Sequence, residues 1–269
     1  MEKKVSIFKF VFVLFVLVFT PLCNRSVSAQ NEVHLIIKGE LKEQSGAFIE
    51  NGKTLLPLRL IGESLGYEVS YEKTTREVRI QKQDKKISMW IGKKSYQMNG
   101  DTKAMDVAPM IKNSTAYVPV RLIAELFGEK IGWDSENRVV IVSEYGEADK
   151  APANPVEFQI GNIRFSLDKS FQSSIGTYKK AESIFFYDIY NKEKSKDRSS
   201  GALCAVTLSK YPDVISIPGI ILDYDGEYYL EAIFESGVEY SSENGEFKKR
   251  YEESMNLLKK VFRTLKIKK

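Results

Sequence analysis

The chain has 269 residues, 43% of them hydrophobic and 28% charged, with 40 Lys and Arg against 36 Asp and Glu. Two cysteines are too few for a disulfide-stapled scaffold or a Cys-rich zinc or iron–sulfur module. The single histidine, His34, rules out a multi-histidine metal site and leaves little material for a Ser-His-Asp triad.

Lys3 and Lys4 precede an apolar run from Phe10 to Phe19, and a polar stretch closes on Val27-Ser28-Ala29 before Gln30. A cationic start, a short apolar core and small residues at the cleavage site predict a secretory signal peptide over 1–29. The run is shorter than the ~20 residues a membrane span needs, so no span is expected after cleavage. A secreted protein, or one on the extracellular face of the cell envelope, follows. Cys23 is preceded by Thr20-Pro21-Leu22, without the small neighbour of a lipoprotein signal, so lipidation there is not expected. Removing 1–29 takes away four basic and one acidic side chain, leaving 36 against 35. That near-neutrality offers no case for nucleic acid.

Residues 30–143 hold an internal repeat with an offset of 62. Asn51 through Pro57, Arg59, Ile61, Glu63, Gly66, Val69 and Tyr71 line up with Asn113 through Pro119, Arg121, Ile123, Glu125, Gly128, Ile131 and Trp133. Each proline is expected to open a short helix, where its missing N–H costs nothing. Leu58, Ile61, Gly62 and Leu65, and likewise Val120, Ile123, Ala124 and Phe127, fall at i, i+3, i+4, i+7 and form one apolar stripe per helix. The small residue (Gly62, Ala124) allows close approach to a sheet. Gly66 and Gly128 stop the helices in the left-handed region. Alternation then predicts a hairpin through Tyr67, Val69, Tyr71, Val78 and Ile80, and another through Ile131, Trp133, Val140 and Val142. Each copy therefore reads strand, short helix, hairpin.

Arg sits in the first turn and Glu in the last, both against the helix dipole, and Arg before Glu at i, i+4 is the poorer order for a surface pair. Arg59, Glu63, Arg121 and Glu125 are therefore expected to be partly buried and hydrogen-bonded, fixing helix to sheet or copy to copy. Ile87–Ile91, Tyr96–Met98 and the turn dipeptide Asn99-Gly100 lie between the copies and are expected to complete one small sheet.

The doubled pattern Leu55-Leu56-Pro57-Leu58-Arg59 to Glu63 and Gly66, and Tyr117-Val118-Pro119-Val120-Arg121 to Glu125, Gly128 and Trp133-Asp134, resembles the copper amine oxidase N-terminal-like domain. The Ile91-Gly92, Asn99-Gly100 and Ala108-Pro109 stretch is similar too, and the resemblance spans 33–143. It implies a small α/β module of Gram-positive envelope proteins, often appended to other domains and non-catalytic in amine oxidases. There the chemistry belongs to a larger domain with copper-binding histidines and a tyrosine-derived quinone. With His34 alone no such copper site can be assembled, and Tyr224-Asp225 is only superficially similar to a quinone precursor, so no amine oxidase activity is expected.

Residues 144–156 carry Pro152 and Pro155 without apolar periodicity and read as a linker. Over 157–269, strands are expected at 157–167, 183–190, 202–209, 220–224 and 228–234, with a polar loop at 191–200. Asp225-Gly226 reads as a hairpin turn. Asp223, Asp225 and Glu227 do not have calcium-loop spacing. Cys204 stands in an apolar run and reads as a buried, inert thiol. One of the adjacent Tyr228 and Tyr229 must face outward unless both sheet faces are covered.

A helix is expected from Phe247 to the end of the chain, with Phe247, Tyr251, Met255, Leu258, Phe262 and Leu265 on its apolar stripe. Residues 248–269 hold nine Lys and Arg and two Glu. Lys259, Lys260, Arg263, Lys266, Lys268 and Lys269 are the candidate contact to a polyanion or anionic surface.

The prediction is an α+β protein: a duplicated strand–short helix–hairpin module forming one small sheet with two helices, then a separate α+β domain of antiparallel sheet and C-terminal helix. Its expected function is non-catalytic binding or scaffolding at the cell envelope, with a wall polymer or envelope protein as partner. No catalytic, cofactor or metal residue is assigned. A carboxylate hydrolase in the second half would need two acidic groups converging in a cleft. A small-ligand sensor or carrier would need an enclosed apolar pocket.

Overall fold

The computed structural model describes residues 32–143, 145, 152–194, 201–235 and 245–268. The expected signal peptide, Cys23, Lys269 and most of the linker lie outside them. Two-residue turns in the left-handed region build the first hairpins. β1 (His34–Ile37) returns through Lys38-Gly39 as β2 (Glu40–Leu41), and β3 (Phe48–Glu50) through Asn51-Gly52 as β4 (Lys53–Pro57). Pro57, still extended, caps α1 (Leu58–Ser64). Gly66 turns the chain into an antiparallel meander of β5 (Glu68–Glu72), β6 (Glu77–Lys82), β7 (Lys85–Trp90), β8 (Ser95–Met98) and β9 (Asp101–Ala104). Asn99-Gly100 is the β8–β9 turn. The second copy supplies β10 (Met110–Lys112), β11 (Thr115–Pro119), α2 (Val120–Phe127), β12 (Ile131–Asp134) and β13 (Val139–Val142).

The two copies meet about a local two-fold axis. β4 and β11 pair antiparallel with Leu56 directly opposite Val118, which are equivalent positions of the repeat, and both side chains are fully buried. The expected single sheet is in fact three. Strands β10-β11-β4-β3 form the shared sheet, β5 to β9 the meander, and β12-β13-β1-β2 the third. The equivalent hairpins join different sheets because their neighbours come from outside the repeat. β6 is extended by β7, whereas β13 receives β1 in parallel, Ile36 beside Ile141.

The predicted close approach at Gly62 is real: a Cβ there would lie 2.6 Å from Val69 Cγ2. Helix propensity alone favours Gly62→Ala by about 1 kcal/mol. Val69 is stiff at χ1, so the overlap must displace the helix at a cost of about 1–3 kcal/mol. Gly62→Ala is therefore expected to lower the urea midpoint, while Ala124→Gly costs only the propensity difference.

The second half opens with a hairpin where one strand was expected: β14 (Pro155–Ile160) and β15 (Ile163–Asp168) turn at Gly161. After β16 (Ile175–Lys180) and β17 (Ser183–Asp188), the expected strand end and the first residues of the expected polar loop are helical instead, as α3 (Ile189–Lys194), and the rest of that loop, 195–200, lies outside the described residues. The reason is local: Asp188 Oδ1 accepts the Asn191 N–H at 2.8 Å and so caps the new helix. β18 (Ala202–Ser209), β19 (Gly219–Tyr224) and β20 (Tyr229–Phe234) complete a five-stranded sheet of order β16-β17-β18-β20-β19.

The last helix, α4 (Gly245–Phe262), covers this sheet with Met255, Leu258, Val261 and Phe262. It does not run to the chain end as expected. Thr264 folds back, its hydroxyl donating to the Val261 carbonyl, and β21 (Lys266–Lys268) pairs with β15. The alternation Lys266-Ile267-Lys268 is a strand signal that the helical stripe had absorbed. Among the described residues no helix is long and apolar enough to cross a membrane.

From Val33 onward the chain forms one compact unit with three apolar clusters. Two belong to the separate halves. The third joins Ile36, Val139 and Ile141 to Val214, Ile221 and Tyr229. β13 is consequently buried on both faces, Val140 and Val142 toward the first half's core and Val139 and Ile141 toward the second half.

Candidate functional site

A concavity of about 780 Å³ lies in the first half. The second copy builds most of it. The first turn of α2 brings Arg121 and its last turn Glu125, and β12 contributes Ile131 and Trp133. Lys53 enters from the β3–β4 hairpin, and Met105 and Val107 form an apolar floor. Trp133 is 38% exposed. In the first copy the positions equivalent to Met105 and Val107 are Glu43 and Ser45, and Tyr71 replaces the indole. The apolar floor and the indole are thus features of the second copy's sequence, with polar residues and a tyrosine at the equivalent positions of the first.

The four paired charges fall on this motif, but the expected partial burial is not found: Arg59, Glu63, Arg121 and Glu125 are all exposed. Arg59 and Glu63 form a loose surface pair at 3.8 Å, worth under about 1 kcal/mol. The helices turn their polar stripe outward because the apolar stripe takes the whole contact with the sheet. Glu125 accepts the Tyr96 hydroxyl at 3.3 Å. Burial, then the Glu125 charge and hydrogen bond, raise the Tyr96 hydroxyl above its ordinary value.

Buried carboxylates elsewhere serve the fold. Asp134 accepts the Tyr229 hydroxyl at 2.6 Å, Asn137 Nδ2 at 2.7 Å and the Glu136 and Asn137 N–H groups. Burial pushes this carboxyl up, but the hydrogen bonds from Tyr229, Asn137 and Glu136 outweigh it and hold it below 3.8. Tyr229 is driven far up by burial and by the Asp134 partner. Sequence reasoning missed this tie between halves, although the unbroken apolar run Val139-Val-Ile-Val142 was a usable signal of two covered faces. Asp188 accepts the Ser254 hydroxyl from α4. Glu231 is fully buried and accepts the Ser209 hydroxyl and the Val214 N–H.

Burial raises Glu231 above 4.5, against the hydrogen bonds from Ser209, Val214 and Asp213. The folded protein therefore holds a proton that the unfolded chain has released, and this carboxyl's contribution falls as pH rises from 4.5 through the raised value. Asp134 acts in the opposite sense and lower, its contribution being lost as pH falls below 3.8. Urea midpoints measured between about pH 4 and 8 should decline across the Glu231 window, and Glu231→Gln should flatten that decline.

The basic end is not one helical face. Lys259, Lys260 and Arg263 are exposed at the end of α4, whereas Lys266 and Lys268 belong to β21. Lys259 lies over the Phe234 ring and Arg263 over Tyr145. Asp225 Oδ1 accepts the Glu227 and Tyr228 N–H groups, the signature of a turn, and Cys204 is buried with its thiol pushed up by desolvation. Among the described residues no group of three His, Cys, Asp or Glu side chains is placed to hold a metal ion.

Two strand–helix–hairpin units about a dyad, a groove on one of them and carboxylates committed to the fold define a duplicated α/β module. Residues 36–142 match the family model described as the copper amine oxidase N-terminal domain. In copper amine oxidases that domain is a non-catalytic part. A protein named "Protease inhibitor" from Brevibacillus choshinensis is 28% identical over 154 residues, covering 57% of this chain and 46% of that protein. The chain thus matches about half the length of that relative.

Proposed function

We propose that this is a non-catalytic recognition protein, exported from the cell, whose ligand is a protein bound at the Trp133 groove. The observation behind this reading is the exposed indole over an apolar floor, bordered by Lys53, Arg121 and Glu125, in one copy of the repeat only. Aromatic and Arg anchors beside an apolar pocket are what protein interfaces concentrate their energy on. The name of the Brevibacillus relative supports a protease as the first target class to try. Titration into serine, cysteine, aspartic and metalloproteases is expected to give stoichiometric inhibition in one class. Trp133→Ala should weaken it by about tenfold or more at unchanged thermal stability. Absence of inhibition in every class would overturn the protease target.

A second reading keeps the envelope polymer as partner, on the exposure of Lys259, Lys260 and Arg263 together. Retention on isolated cell walls that falls steeply with salt supports it, and salt-insensitive retention speaks against it.

A further inference from the structure

β12 is an edge strand: the sheet order β12-β13-β1-β2 puts no described strand beyond it. The Ser143 N–H donates to the Lys130 carbonyl at 2.9 Å across the β12–β13 register, so Lys130 and Ser143 form a hydrogen-bonded pair. Such pairs alternate along an antiparallel ladder. Gly132 and Asp134 therefore bond to β13, and the backbone groups of Ile131 and Trp133 point away from the sheet.

Clefts flank this free edge on both faces. The Trp133 groove lies on one side. On the other, a smaller cleft of about 280 Å³ runs between β12 and β19, where Tyr224 lies against Gly132. Ile131 borders both. Edge strands are usually guarded by charge. The equivalent strand β5 carries exposed Glu68 and Glu72 at its ends. At the position equivalent to Glu72, Asp134 is instead turned inward to Tyr229.

We infer that β12 receives an extended polypeptide segment of a partner protein by strand addition. Its backbone pairs with Ile131 and Trp133, and its alternate side chains enter the Trp133 groove and the Tyr224 cleft. The occupant must be a polypeptide because only an extended peptide backbone offers alternating donors and acceptors at ladder spacing along with side chains that alternate between two faces. This inference rests on the protein-ligand reading and specifies how that ligand is held.

The test uses the whole protein and a display library of short random peptides. Selected peptides are expected to slow amide exchange at Ile131 and Trp133 and to lose binding to Ile131→Pro, which removes an outward-facing donor together with the side chain that borders both clefts. Each is then resynthesised with N-methyl groups at alternate residues, in either phase. One phase removes the donors facing β12 and should weaken binding by about tenfold per lost bond, while the other leaves it unchanged. Equal effects of the two phases, protection elsewhere, or no selected peptide would overturn strand addition. Peptide pairing at β12 without protease inhibition would instead overturn only the protease target.

Discussion

Ile36→Asp is expected to divide a single unfolding transition into two. Ile36 is fully buried, but in the third cluster, facing the second half rather than its own core. An unpaired buried carboxylate costs of order 3–5 kcal/mol. The fold can escape that cost by parting the halves, which exposes the introduced carboxylate to water and leaves the first two clusters intact. Both tryptophans, Trp90 and Trp133, lie in the first half, so their fluorescence follows that half while far-UV circular dichroism follows both. In the native protein the two probes should coincide, and in Ile36→Asp they should separate. Leu35→Asp is the contrast. Leu35 points into the first half's own core, and this substitution should abolish the fluorescence transition altogether. Coincident transitions in Ile36→Asp would show that the shared cluster does not couple the halves.

Gly39→Ala is expected to weaken the same junction from the backbone side. Gly39 has φ +77°, and its carbonyl accepts the Ile221 N–H at 2.8 Å. An added Cβ would stand 2.8 Å from the Tyr145 side chain and closer still to the Ile221 carbonyl oxygen. Left-handed strain contributes about 1 kcal/mol and the overlap a further 1–3 kcal/mol, because neither a carbonyl in a strand nor its partner can swing aside. Gly92 has φ +85° and open space around it, so Gly92→Ala should show the strain alone. The difference between the two urea midpoints isolates the contact. Equal losses would mean that β19 yields at no cost.

Local physics was readable wherever one segment answers for itself. The repeat, both helices, the left-handed Gly66 and Gly128, the Asn99-Gly100 turn and the need for a small residue at Gly62 depend on neighbours within a few positions. The errors share a cause. Arg59, Glu63, Arg121 and Glu125 stand in locally poor electrostatic order, which suggested tertiary partners. Exposed charges are held by so little energy that such order carries no penalty worth correcting. At Lys266-Ile267-Lys268 a stripe of period 3.6 and a three-residue alternation cannot be told apart at their junction, and pairing with β15 decides for the strand. The groove was not legible because the residues that line it, Lys53, Met105, Arg121 and Trp133, come from separate elements whose convergence is set by the dyad.

What the amino-acid order determined alone was a duplicated unit, its short elements and a scarcity of reactive side chains, because these follow from steric preference, spacing and composition. Tertiary structure decided the partition of the strands among three sheets, the burial of β13 on both faces, the Asp134–Tyr229 bond across the halves and the free edge at β12. Each of those depends on which surfaces are left to cover once local structure has formed, and that is a property of the packed chain.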